Sequence, residues 1–186
     1  MSGPIVIVTG SPGAGKTTLS AELAARSPRG VHLEGDAFYR FVVHLIAPVL
    51  PESKEQNATI IRAIMRAAVA YSAGGYEVFV DGIFGPWFLP LVAHELGRAA
   101  AEVEYIVLRL DPERAVQRAG TRAAYPGDAA MVRQMNDAFA RVGDYEGHVL
   151  DVGGRAPDDV AGEIDRQRAA GAFRLDLALL RKTVPA

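Results

Sequence analysis

Short runs of branched apolar residues alternate along this chain with longer stretches whose apolar positions recur every three or four residues. Pro4-Ile5-Val6-Ile7-Val8-Thr9 is the first run, continuous rather than alternating, and reads as a strand buried on both faces. Lys16 to Arg26 carries Leu19, Leu23 and Ala24 on one face and reads as a helix. Gly30 to Glu34, with Val31 and Leu33, predicts a second strand, and Phe38 to Ala47 a helix halted by Pro48 and Pro51. Ser53 to Gly74 predicts a long helix: Ile60, Ile61, Ile64, Met65, Ala68 and Val69 keep helical spacing, Ser53 and Gln56 have capping-box spacing, and Gly74-Gly75 close it. Tyr76 to Val80 reads as a buried strand, Pro86 to Ala100 as a helix and Val103 to Leu110 as a strand. Asp111-Pro112-Glu113 opens a further helix, Ala123 to Gly127 interrupts, and Asp128 to Val142 is helical again. His148 to Val152 completes the strands, and Pro157 to Ala170 is a last regular helix. From Phe173 to Leu180 the pattern stays open, since Phe173, Leu175, Leu177 and Leu179 alternate like a strand while the Leu and Ala content suits a helix.

Five strands alternating with helices predict an α/β domain with a parallel sheet covered on both faces. No repeat, low-complexity stretch or linker divides residues 1–186, and 49% hydrophobic content is enough for one full core without staples. The absence of cysteine excludes a disulfide framework and zinc-thiolate or thiolate chemistry, and fits a reducing compartment. Net charge is −2, with 20 basic and 22 acidic residues interspersed, so no basic face for nucleic acid or an anionic membrane is expected. No apolar run approaches the roughly 20 residues that span a bilayer, and the first strand begins too early to leave room for a signal peptide. A cytoplasmic protein, monomer or homodimer, without nucleic-acid or membrane partners is the expectation.

The chemistry concentrates between the first strand and the first helix. Gly10-Ser11-Pro12-Gly13-Ala14-Gly15-Lys16-Thr17 fits G-x-x-x-x-G-K-[ST] at every fixed position, with Thr18 following. The glycines let backbone N–H groups turn toward one anion, Lys16 places an ammonium against the β- and γ-phosphates, and the Thr17 hydroxyl suits Mg²⁺. A strand before the loop and a helix after it put the phosphates on a helix N-terminus. The pattern predicts nucleoside triphosphate binding.

Four further segments recur in a telling order: Gly35-Asp36 after the second strand, Asp81-Gly82 after the third, the arginine-bearing stretch Arg114 to Arg122, and Asp151 to Pro157 after the last. Together with the phosphate loop they make the chain, from Ile5 to about Ile164, resemble the small P-loop kinases of metabolites and antibiotics. That group includes shikimate and gluconate kinases and chloramphenicol phosphotransferase. The resemblance implies a nucleoside-monophosphate-kinase-like P-loop NTPase fold with sheet order 2-3-1-4-5 and a lid after the fourth strand, roughly residues 112–130. It also implies ATP and Mg²⁺ as cofactors and transfer of the γ-phosphate to a hydroxyl of a small molecule. Asp36 would hold that hydroxyl and take its proton, or else cap the following helix. Asp81 resembles a Walker B aspartate that would hold Mg²⁺ through water or contact the acceptor, or cap its turn. Lid arginines Arg118 and Arg122 would close over the transferring phosphoryl group, with Arg114 less placed to do so; a solvated helix face is the plainer account. Arg155 would stack on the adenine, or Asp151 to Pro157 is an ordinary strand-to-helix turn.

Phe38, Tyr39, Phe41, Phe84, Trp87 and Phe88 are six of fourteen aromatics and follow the second and third strands, which suits an acceptor with an apolar face as well as it suits packing. Phe38, Arg40, Phe84 and Trp87 are the expected acceptor contacts beside Asp36, with a surface helix position the plainer reading of Arg40. His32, His94 and His148 show no metal-ligand spacing and read as structural. Two other functions share this core: a kinase of nucleic-acid ends or nucleotide-sugars, which would need a basic groove or an extra domain, and a regulatory ATPase. The Asn-Lys-x-Asp motif of switch GTPases is absent.

Overall fold

The computed structural model describes residues 1–97, 99–120 and 129–181. Five parallel strands, β1 (Ile5–Gly10), β2 (Gly30–Glu34), β3 (Glu77–Asp81), β4 (Val103–Arg109) and β5 (Val149–Asp151), stand in the order β2-β3-β1-β4-β5. β1 is central, with Val8 level with Asp81 on one side and Ile106 on the other. All six β1 residues are buried, which is why its apolar run is unbroken.

Alternation along the strands sends side chains to two separate cores. Ile5, Ile7, Val78, Val80 and Tyr105 pack with α3 (Lys54–Ala73) and α4 (Leu89–Leu96), through Ile61, Ile64, Met65 and Leu96 among others. Val6, Val8, Phe79, Ile106 and Leu108 pack with α1 (Lys16–Arg26) and α7 (Pro157–Ala169), through Leu19, Leu23, Val160 and Ile164. Arg168 of α7 spans this second face. It pairs with Glu77 of β3 at 2.6 Å and with Glu104 of β4, and lies over the Phe79 ring. No helix among the described residues is long and apolar enough to cross a membrane.

Three elements differ from the expectation drawn from the sequence. The helix expected over Phe38–Ala47 is only α2 (Gly35–Arg40). Phe38, Tyr39, Val42 and Leu45 still pack inward, which produces the helical period, but side chains of α3 capture the backbone beyond. Gln56 accepts from Ile46 N at 2.9 Å and donates to Ile46 O at 2.8 Å, while Asn57 donates to Pro48 O at 2.8 Å. The capping box therefore does not form: Ser53 Oγ donates to the Pro48 and Leu50 carbonyls, and no side chain caps α3. The helix expected over Pro86–Ala100 is a 3₁₀ turn, Pro86–Phe88, followed by α4, which stops before Gly97.

The ambiguous tail satisfies both readings in succession. β5 pairs only with Val107–Arg109, and the lower part of that β4 edge is taken by residues 173–175. Tyr105 N donates to Phe173 O, Leu175 N donates to Val103 O, and Glu104 bridges Arg174 antiparallel, before α8 (Leu177–Arg181) begins. After β4 come α5 (Pro112–Gly120) and α6 (Ala129–Ala140). Asp111 Oδ1 accepts from the backbone N–H groups of Glu113 and Arg114, capping α5 as its position suggests.

Candidate active site

In an all-parallel sheet the strand carboxyl ends face one way, and the turns that leave them build one crevice. Gly10, Glu34 and Asp81 end β1, β2 and β3 there, and Glu34 is level with Asp81. From Gly10 the chain turns through Ser11 to Gly15 into α1. Gly13 lies at φ 84°, and a Cβ on it would stand 2.5 Å from the Ala115 carbonyl oxygen, so only glycine fits where the loop meets α5. Gly15, the α1 N-cap, is left-handed, and no side chain caps the helix. The first turn carries no acid either, so its unpaired N–H groups and the positive end of an 11-residue helix dipole are left for an anion.

Around this loop three side chains converge. Lys16 is nearly buried, with Nζ donating to Ser11 O at 3.0 Å. Thr17 Oγ1 donates to Asp81 Oδ2 at 2.8 Å. Asp81 is 3% exposed, and its other oxygen, Oδ1, lies 2.7 Å from His32 Nε2. An ionised carboxylate only accepts, so that ring nitrogen carries the proton. Ser11 Oγ donates to Asn136 Oδ1 of α6 at 2.8 Å, which ties the loop to that helix. Ala14 is buried under the loop, and Thr18 is exposed in the first turn of α1.

Asp36 is exposed in the first turn of α2 and makes no capping bond. The residue before it, Gly35, packs its backbone on that of Asp81, where a Cβ would fall 2.5 Å from the Asp81 carbonyl oxygen. Burial, with the Asp36 charge adding to it, pushes the Tyr39 hydroxyl up to about 12, so Tyr39 stays a neutral donor next to that carboxylate. Arg40 lies against Glu34 at 3.3 Å. Phe38 is half-buried and meets Phe41 edge-on, with ring centroids 5.7 Å apart.

The aromatic group divides. Phe84 is 2% exposed, its amide donates to Thr9 Oγ1 and its carbonyl accepts from Tyr105 Oη, so it belongs to the core and offers no surface to a ligand. Trp87 is 48% exposed beside Phe88 and Phe139. Arg118 is exposed on α5, and Arg122 lies outside the described residues. Arg114 turns toward the loop after β5, where its Nη1 would stand 2.8 Å from a Cβ on Gly154. Arg155 is exposed in a polar cleft with Arg26, Arg166, Asp158 and Asp159, and donates to Asp159 O at 3.3 Å. Arg109 is structural, its Nη2 binding both Glu146 oxygens and the Phe139 carbonyl.

Two residues of the site escaped the sequence reading. His32 read as structural, yet alternation along β2 puts it on the same face as Glu34, and the β2–β3 register carries that face to Asp81. Asn136 gave no local signal at all.

The donor set fits a nucleotide with Mg²⁺. Among the described residues no group of three or more His, Cys, Asp or Glu could hold a metal. A hard cation that keeps waters and phosphate oxygens needs only one or two protein oxygens, which Thr17 and Asp81 supply.

A family model described as an AAA domain matches residues 6–137, from within β1 to within α6. The chain belongs to that family. The AAA-domain match covers the phosphate loop, Asp36, Asp81 and Asn136 together. No curated protein matches in sequence. Among solved structures, a sugar kinase from Janibacter sp. HTCC2649 superposes with TM-score 0.71 at 16% identity, covering 90% of this chain and 95% of that one. The tunicamycin resistance protein of Deinococcus radiodurans gives 0.66 at 17% identity, with coverage of 94% and 99%. Shikimate kinase from Acinetobacter baumannii, in complex with shikimate, gives 0.64 at 17% identity, with coverage of 91% and 94%. At these identities the likeness shows the fold, a P-loop NTPase of the small-kinase kind, in the sheet order that the resemblance implied.

Proposed function

We propose that this AAA-domain protein is a phosphotransferase that moves the γ-phosphate of Mg·ATP to a hydroxyl of a small molecule. The observation that carries the reading is the convergence of Lys16, Thr17 and the buried Asp81 at an uncapped helix N-terminus, with Asp36 exposed in the first turn of α2 directly after β2. The loop amides and Lys16 bind and orient the β- and γ-phosphates. Thr17 and Asp81 would hold Mg²⁺, which bridges phosphate oxygens and neutralises their charge. Asp36, exposed at the mouth of the crevice, accepts a hydrogen bond from the acceptor hydroxyl, aims its oxygen in line and receives the proton. Arg118 and Arg122 supply positive charge when the lid segment closes, and Arg155 contributes a planar face to the adenine.

The exposed apolar residues that follow Asp36 in the chain favour an acceptor with an apolar body. Phe41, Val43, Ile46, Val49 and Leu50 are exposed, Phe41 at 74%, on a segment that Ser53, Gln56 and Asn57 pin in place. Phe38, which meets Phe41 edge-on, and the exposed Trp87 are the proposed acceptor contacts. A cysteine-free chain using ATP suits the cytoplasm.

ADP release from Mg·ATP, measured alone and with sugar acids, nucleosides, aminoglycosides and aromatic antibiotics, tests the reading. One acceptor class should stimulate release, and Asp36→Asn should lower the stimulated rate by about 10²–10⁴-fold with nucleotide affinity unchanged. Release that ignores every acceptor and survives Asp36→Asn would favour a regulatory ATPase instead.

A further inference from the structure

Asp81 is held from two sides, and only one of them belongs to the phosphate loop. Thr17 reaches one oxygen from α1, and His32 reaches the other from β2, 49 residues earlier in the chain. Asp81 is almost wholly buried, and its carboxylate needs donors to remain there. A carboxylate with a single donor can turn about its Cβ–Cγ bond, whereas one bonded through both oxygens is fixed in plane and direction. His32 itself is half-buried, with its ring carried by a strand that pairs along its whole length with β3. The imidazole is thus placed by sheet register, and its Nε2–H is aimed at Oδ1 without help from the loop.

We propose that His32 is a positioning residue for the magnesium–nucleotide complex: by fixing Asp81 Oδ1 it keeps Oδ2 on Thr17 and toward the cation. The proposal rests on the reading of Thr17 and Asp81 as the cation's protein ligands. Nothing in it requires His32 to touch nucleotide, metal or acceptor. Partners that orient a metal's ligands typically change metal affinity or activity by about 10–100-fold when removed, and that sets the expected size. The donor atom matters more than the ring. Gln at position 32 can bring an N–H to the place of Nε2, while Asn, one bond shorter, presents its amide near the place of Nδ1 and falls short of Oδ1.

The test is calorimetric titration of ADP into the full chain, with and without Mg²⁺, for the wild type and for His32→Gln, His32→Asn and His32→Ala. Mg²⁺ should strengthen ADP binding to the wild type. His32→Ala and His32→Asn should lose about 10-fold or more of that gain while metal-free ADP binding stays unchanged, and His32→Gln should retain it. The proposal is overturned if His32→Ala keeps the full gain, if Gln fares no better than Asn, or if metal-free binding falls by the same factor as binding with Mg²⁺. Should His32→Ala fail to fold, the Gln and Asn pair still decides. A wild type that shows no Mg²⁺ gain refutes the assignment of Thr17 and Asp81, and the proposal with it. Failure of every phosphate acceptor, by contrast, leaves this measurement intact.

Discussion

The bond between Ser11 and Asn136 joins residues 125 apart and gives the phosphate loop its link to α6. Ser11 is 1% exposed, so its hydroxyl has no water to turn to if Asn136 loses its oxygen. The amide nitrogen of Asn136 also donates to the Val132 carbonyl, four residues back in the same helix, where an α-helical carbonyl already has its backbone partner. Loss of that second bond should matter little. Asn136→Leu keeps the branching and the number of side-chain heavy atoms, so the main effect is one buried unpaired donor, worth about 1–3 kcal/mol. For a chain of this length that lowers Tm by about 2–12 °C. Ser11→Ala strands the Asn136 oxygen instead and should cost about the same. The double variant removes both halves and should lie close to either single, a coupling of about 1–3 kcal/mol in a double-mutant cycle read by urea and thermal unfolding. Strictly additive costs would refute the reasoning, because they would mean that the two groups do not satisfy each other.

Two further outcomes follow from the same accounting of partners. Lys16→Met should lower kcat by about 10²–10³-fold in the acceptor-stimulated assay, as loss of a charge aimed at the phosphates does. Its Tm should stay near that of the wild type, because the Ser11 carbonyl to which Lys16 donates keeps a second donor in the Ala14 N–H. Arg168→Leu leaves Glu104 and Glu77 without their shared cation and should cost about 3–5 kcal/mol at neutral pH. Burial already raises the Glu104 carboxyl above its ordinary value against the pull of Arg168, and removal of the arginine raises it further. A carboxyl raised in the folded state binds its proton more tightly there than in the unfolded chain. The variant therefore loses stability as pH rises from the ordinary carboxylate range through the raised folded value. Its deficit should be smallest in acid and largest at neutral pH in unfolding curves taken across that window.

Features whose cause is local were legible in the sequence. β1 reads as a strand because both of its faces are buried, and the phosphate loop reads as one because each fixed residue answers a local demand of backbone or charge. The helix expected over Phe38–Ala47 failed for a nonlocal reason: its apolar period is real, but Gln56 and Asn57 take the backbone of Ile46 and Pro48 from a helix later in the chain. Phe84 looked like a pocket residue by its place after β3, yet Thr9 and Tyr105 claim its main chain and draw it into the core. His32 and Asn136 could not be found by spacing, since strand register defines one and a contact across the domain defines the other. The sheet order itself followed from resemblance; alternation of elements predicts a parallel sheet but leaves many orders open.

If Thr17 holds the cation as proposed, the arrangement at Asp81 would let one threonine serve two partners. A hydroxyl has a single proton and two lone pairs. Thr17 commits its proton to Asp81 Oδ2, and this bond decides where the lone pairs lie. A cation taken up by the oxygen uses a lone pair and leaves the proton in place, so the protein side of the site needs no new hydrogen bond when it loads. Direction is therefore passed from β2 to β3 to α1: register places His32, His32 holds Asp81, and Asp81 turns Thr17. Serine at position 17 would preserve that chain and valine would break it at its last member. On the proposed reading the same logic separates His32 from Lys16: the histidine would act on the shape of the site before any phosphate arrives, and the lysine on the phosphate itself.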